Sequence, residues 1–80
     1  MAEKIQVYGA DWCGDCRLAK KVLGQLAAEY EWYDVAASEE LKDKAIEISG
    51  QMRIPVVVYP DGTFQVEPSA TDLKQKVAQL

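Results

Sequence analysis

The residues best suited to chemistry in this chain are two cysteines held in Trp12-Cys13-Gly14-Asp15-Cys16. Positions i and i+3 share a helix face, so the two thiols can close a small disulfide ring with little backbone movement. A Cys-x-x-Cys placed where a strand ends and a helix begins reads as a redox motif. Unpaired amides and the positive end of the helix dipole favour a thiolate at Cys13. Cys16, one turn inward, is expected to be the more buried and to resolve a mixed disulfide formed on Cys13. Asp11 and Asp15 oppose the thiolate, whereas Arg17 and the dipole favour it. Gly14 leaves the backbone of the nucleophile open to a partner, and Trp12 is expected as a partly exposed contact surface beside the sulfur.

Three plainer readings compete. A purely structural disulfide belongs to oxidising compartments, and no secretion signal is evident. A structural zinc site needs four ligands, and this chain offers two thiolates and no histidine, so it would have to form across a dimer. Two inert core thiols are the third reading, against which stands the polar, glycine-containing character of the motif.

Composition narrows the field further. With 80 residues and no histidine, His-based general bases and triads are excluded. Thirteen acids interspersed with nine bases leave a net charge of −4, which argues against a grip on nucleic acid. Met1 to Tyr8 carries Glu3 and Lys4 and lacks the apolar run of a signal peptide. Nor does any stretch approach a membrane span. These features predict one cytoplasmic domain over residues 1–80, monomeric and without membrane contact.

The elements that must position the cysteines follow from periodicity. Lys4 to Tyr8 alternates as a strand, with Ile5 and Val7 on one side and Gln6 and Tyr8 on the other. From Gly14 to about Tyr30, Leu18, Val22 and Leu26 beside Ala19, Leu23 and Ala27 form the apolar stripe of a helix of roughly four turns. Glu31 to Val35 reads as a second strand. Ser38 caps a second helix with Glu39 and Glu40 in its first turn, Leu41, Ala45 and Ile48 on its core face, and Gly50 as its stop. Ile54 to Tyr59 is a buried central strand with its proline at the start. Pro60-Asp61-Gly62 turns the chain into Thr63 to Val66 as a hairpin partner. Ser69 and Asp72 begin a last helix whose core face is Leu73, Val77 and Leu80. The order βαβαββα predicts an α/β fold, a mixed four-stranded sheet covered by three helices, with an antiparallel edge from the hairpin.

On these residues the chain resembles a glutaredoxin of the thioredoxin-fold superfamily along essentially its whole length. Tyr8 to Cys16 is similar to the family's strand and active-site segment. Ser49-Gly50-Gln51-Met52-Arg53-Ile54-Pro55 is similar to its Thr-Gly-Gln-x-Thr-Val-Pro segment, and Ser69 to Leu73 to the start of its last helix. Glu67-Pro68-Ser69-Ala70 with Trp-Cys-Gly-x-Cys is most similar to the mycoredoxin branch.

The resemblance implies a dithiol thiol-disulfide oxidoreductase that reduces protein or mixed disulfides without a tightly bound cofactor. A low-molecular-weight thiol, such as glutathione or mycothiol, would recharge it. It implies that Pro55 is a cis-proline facing the cysteines and presents the backbone of Ile54 to an extended substrate. Gln51 would hold a substrate carboxylate with help from Arg53, and Thr71 and Asp72 would receive the amino group of a small thiol. Departures from the family pattern are Gly14-Asp15 for its Pro-Tyr, Ala10 for a lysine that contacts carboxylate, and Pro68-Ser69 for its Gly-Gly. Two other functions attach to the same resemblance. Gly14 allows an iron-sulfur cluster carried between two chains, and the absent Gly-Gly allows a thioredoxin-like electron donor recharged by a flavin reductase.

Overall fold

The computed structural model describes residues 4–80. The reading of Met1 to Tyr8 as lacking a leader rests in part on residues 1–3, which lie outside the described residues. Seven elements follow in the order β1 (Ile5–Gly9), α1 (Gly14–Gln25), β2 (Tyr30–Asp34), α2 (Glu39–Ser49), β3 (Val56–Val58), β4 (Phe64–Val66) and α3 (Ala70–Ala78). The strands form one sheet in the order β2-β1-β3-β4. β1 pairs with β2 in parallel, Val7 opposite Trp32, and with β3 antiparallel, Val7 opposite Val57. β4 closes the antiparallel edge on β3. The predicted α/β architecture is the one observed.

Alternation along the strands divides the core in two. On one face Ile5, Val7, Val57 and Tyr59 pack with Ala19, Val22, Leu23 and Leu73, residues of α1 and α3. On the other face Tyr8 and Val56 pack with Ala45 of α2. Tyr8 also stacks on Tyr33, ring centroids 4.9 Å apart. Because β1 and β3 are the central pair of strands, they are covered on both faces and are apolar in both registers except at the half-buried Gln6.

Helix boundaries follow from local chemistry where that chemistry is strong. Ser38 Oγ accepts the Leu41 amide 3.3 Å away, and Gly50 stops α2 in the left-handed region at φ 72°. Ser69 Oγ accepts Asp72 N while Asp72 Oδ2 accepts Ser69 N, both at 3.1 Å, a reciprocal capping box.

Four expectations are corrected. α1 ends at Gln25 instead of near Tyr30, because Ala27 adopts a left-handed φ of 55°. There Ala28 N donates to Leu23 O at 3.0 Å and Ala27 N to Gly24 O at 3.1 Å, a Schellman ending built without glycine. The buried stripe of α1 is Cys16, Ala19, Val22 and Leu23, so Leu18 turns outward and Cys16 leads the core face. Leu80 lies beyond the end of α3 and is exposed, leaving Leu73 and Val77 to pack on the core. Finally, regular pairing in β3 spans only Val56–Val58: Pro55 has no amide to donate, and Tyr59 continues the hairpin through a single bond to Thr63 O.

Candidate active site

The segment between β1 and α1 is a tight turn. Cys13 N donates to Ala10 O at 3.1 Å, which places Asp11 and Trp12 at the two corners. Corner residues point away from the core, and Trp12 is accordingly 75% exposed despite its size. Cys13 then occupies the N-cap of α1 with an extended backbone, and its sulfur accepts the Cys16 amide 3.4 Å away. This is the bond a serine or threonine oxygen makes at an ordinary helix start, here made by a thiol sulfur. Both cysteines are free thiols, Cys13 half-buried and Cys16 buried.

Cys16 is held from beneath by an absence. A Cβ on Gly9 would stand 2.6 Å from Cys16 Sγ and 2.9 Å from the Trp32 ring. The last residue of β1 therefore carries no side chain so that the buried sulfur and the indole of β2 can meet over it. Burial, and after it the neighbouring Cys13 side chain, push the Cys16 thiol up to about 12. At neutral pH this sulfur holds its proton.

Charge near the dithiol is arranged across elements. Lys20 of α1 lies 3.5 Å from Asp11 Oδ1 and sits over the Trp32 ring, 4.1 Å from its centroid. Part of the negative charge flanking Cys13 is thereby answered by a lysine one turn beyond Cys16. Arg17 and Asp15 are exposed on the first turn.

Opposite the dithiol is the segment between α2 and β3. The Ile54–Pro55 peptide is cis, and Cys13 Sγ faces Ile54 O at 4.0 Å, the outer limit of a thiol hydrogen bond. Pro55 is buried. A groove of about 530 Å³ runs from this point along α2, a size suited to a small organic ligand. Trp12, the segment Val35 to Glu39, Lys42, Ala45 and Ile46, and the segment Gln51 to Ile54 line it. Trp12 and Met52, 75% and 78% exposed, are its apolar lips.

The structure thus brings Trp12, Gln51, Arg53 and Ile54 together beside the dithiol. It does not bring Thr71 or Asp72 into the groove: Thr71 is exposed on the first turn of α3, and the Asp72 carboxylate is engaged as the reciprocal cap. Arg53 is not a lone cation either, since its guanidinium lies 3.3 Å from Glu67. Gly14 is open: among the described residues, nothing beyond its chain neighbours and its own helix backbone lies within 4 Å of the Cβ it lacks. Three participants are not foreseen from the sequence: Gly9, Lys20 and Trp32. Gly9 carries a local signal, a glycine closing an apolar strand three residues before the motif's tryptophan. Lys20 stands four residues after Cys16 and so on its helix face, and Trp32 has no local signal.

A mixed sheet with a dithiol at the first helix start and a cis-proline loop facing it defines a redox protein of the thioredoxin fold. The glutaredoxin family model matches residues 5–65. Mycoredoxin 1 of Corynebacterium glutamicum is 35% identical over 78 residues, covering 95% of either chain. The chain belongs to the glutaredoxin family, and its activity is that of a thiol-disulfide oxidoreductase. Solved structures agree. A glutaredoxin from Archaeoglobus fulgidus superposes with a TM-score of 0.82 at 26% identity, over 96% of this chain and 87% of that one. The thioredoxin-like protein BC3987 does so with a TM-score of 0.81 at 26% identity, over 90% and 97%.

Proposed function

We propose that the protein reduces protein and small-molecule disulfides in two steps, with Cys13 as nucleophile and Cys16 as resolving thiol. The Cys13 thiolate attacks a substrate disulfide; one sulfur bond forms, one breaks, and a substrate thiolate leaves. Cys16 then loses its proton and attacks Cys13 Sγ, releasing the second substrate thiol and leaving the Cys13–Cys16 disulfide. The asymmetry of the pair carries this reading. Cys13 is half-exposed, next to the groove residue Trp12 and facing Ile54 O, while Cys16 is buried and its thiol is pushed up to about 12. Part of that rise comes from Cys13 itself, so converting Cys13 into a neutral mixed disulfide lowers the cost of ionising Cys16 at the moment its attack is needed.

Trp12, Gln51, Arg53 and the Ile54–Pro55 backbone would seat the substrate. Thr71 and Asp72 would act only on a substrate long enough to reach the start of α3. Two molecules of a low-molecular-weight thiol would return the disulfide to the dithiol, and the likeness to a mycoredoxin favours mycothiol for that part over glutathione. Family membership favours dithiol exchange over an iron-sulfur carrier or a donor recharged by a flavin reductase. We take the working form to be a monomer in the cytoplasm; among the described residues no helix is long and apolar enough to cross a membrane.

The test is Cys16→Ser. Incubated with an oxidised protein or a mixed disulfide, it should accumulate a covalent adduct on Cys13, seen by intact mass and cleared by reductant. Failure to trap any adduct, with Cys13 free to alkylating agents, overturns the two-step scheme.

A further inference from the structure

We propose that Glu67 sets the charge selectivity of the groove, disfavouring anionic thiols relative to thiols of no net charge. The proposal rests on the reading above that a small thiol enters this groove to reach the dithiol. Among the lining residues the formal charges are those of Glu39, Lys42 and Arg53, one acid against two bases, which would favour an anion. Glu67 lies outside that lining, in the connection between β4 and α3, yet its carboxylate is 3.3 Å from Arg53 Nη1. With that acid included, the formal charges balance.

The placement of Glu67 is built by the backbone. Its φ is 50°, a left-handed conformation uncommon for a residue with a side chain, and its amide donates to Pro55 O at 2.9 Å. The carbonyl next to the cis peptide thus holds the connection in place, and the carboxylate reaches across to the guanidinium two residues before Pro55. Glu67 does not touch the reacting atoms and acts through Arg53. The ion pair is exposed, 71% at the arginine side chain and 36% at the glutamate, so it contributes little to stability. Its consequence falls on what Arg53 can offer a ligand.

Recharging makes the effect measurable. Two thiols reduce the Cys13–Cys16 disulfide: the first forms a mixed disulfide on Cys13 and frees Cys16 as a thiol, and the second displaces Cys13 to give the small disulfide. Glutathione, with two carboxylates and one ammonium, is compared with its glycyl ethyl ester, which has one carboxylate fewer on the same skeleton. In Glu67→Gln, the ratio of kcat/KM for glutathione to that for the ester should rise about two- to fivefold, the range an exposed ion pair supports. Glu67→Gly, which suits the left-handed backbone, should move the ratio the same way, and Arg53→Met should lower it. In Arg53→Met/Glu67→Gln the gain should vanish, and raising ionic strength should shrink it in the single variants.

A ratio unmoved by both Glu67 variants, or a gain that persists without Arg53, overturns the proposal while leaving small-thiol recharging intact. Absence of reduction by either thiol in every variant overturns recharging by glutathione-type thiols and this proposal with it, and leaves mycothiol as the reductant proposed above.

Discussion

Gly9 and Cys16 show how little room the chemistry leaves at the residue scale. A Cβ added to Gly9 would meet, at 2.6 Å, a sulfur that is itself sealed from solvent, and it has nowhere else to go, since its other neighbour is the Trp32 ring at 2.9 Å. Gly9→Ala should cost about 1–3 kcal/mol, the ordinary penalty of overpacking, measured by urea unfolding of the reduced protein. Because the displaced group is the sulfur proposed to resolve the adduct, the same variant should prolong the mixed disulfide on Cys13, seen by quenched-flow mass analysis. Unfolding and exchange rates both equal to those of the parent would show that the site relaxes freely. The cysteines were legible because their chemistry and spacing are local. Glu67 answering Arg53 and Lys20 answering Asp11 were not, since each pair is separated along the chain and meets only when elements pack.

At the scale of elements, the strong caps were readable and the weak one was not. Ser38, Gly50 and Ser69 are residue types whose side chains or conformational freedom mark an end, and α2 and α3 begin or stop at them. α1 ends instead on Ala27, a good helix former that the tertiary structure forces to φ 55°. Nothing in an alanine announces a stop, so the apolar repeat through Leu26 and Ala27 suggested a helix one turn too long. Left-handed conformation costs an L-residue roughly 1–2 kcal/mol, part of which glycine gives back through its more flexible unfolded chain. Ala27→Gly should therefore stabilise the protein by about 0.5–1 kcal/mol, read as a higher urea midpoint at constant m-value. A lower midpoint would mean that the Ala27 methyl makes contacts outweighing its strain. The orientation of α1 was also partly hidden. Leu18 and Cys16 are both plausible core residues by type, and only packing beneath β1 selects Cys16.

For the whole molecule, the dithiol and the core are coupled through proton linkage. Cys16 and Tyr59 are both buried, and burial is the leading cause that lifts each to about 12, from 9.0 and 10.0. In the unfolded chain each ionises near its ordinary value, so in strong alkali the folded state binds more protons than the unfolded one. Stability from these groups is full below about pH 9 and falls as pH rises from there toward 12. Each contributes at most about 1.4 kcal/mol per pH unit. Urea unfolding of the reduced protein at pH 8, 9, 10 and 11 should show this decline, and Cys16→Ala should remove its share of the slope. A variant and parent with parallel profiles would mean that Cys16 ionises alike in both states. From its order of residues alone this chain establishes the alternation of strands and helices, the capped starts of α2 and α3, and a redox pair at the start of α1, because each depends on interactions within a few residues. How completely Cys16 is sealed, what room Gly9 leaves for it, where the groove runs and which acid holds Arg53 depend on distant segments meeting across a two-faced sheet. Burial and close approach are properties of that packing, and they do not exist until the chain has folded.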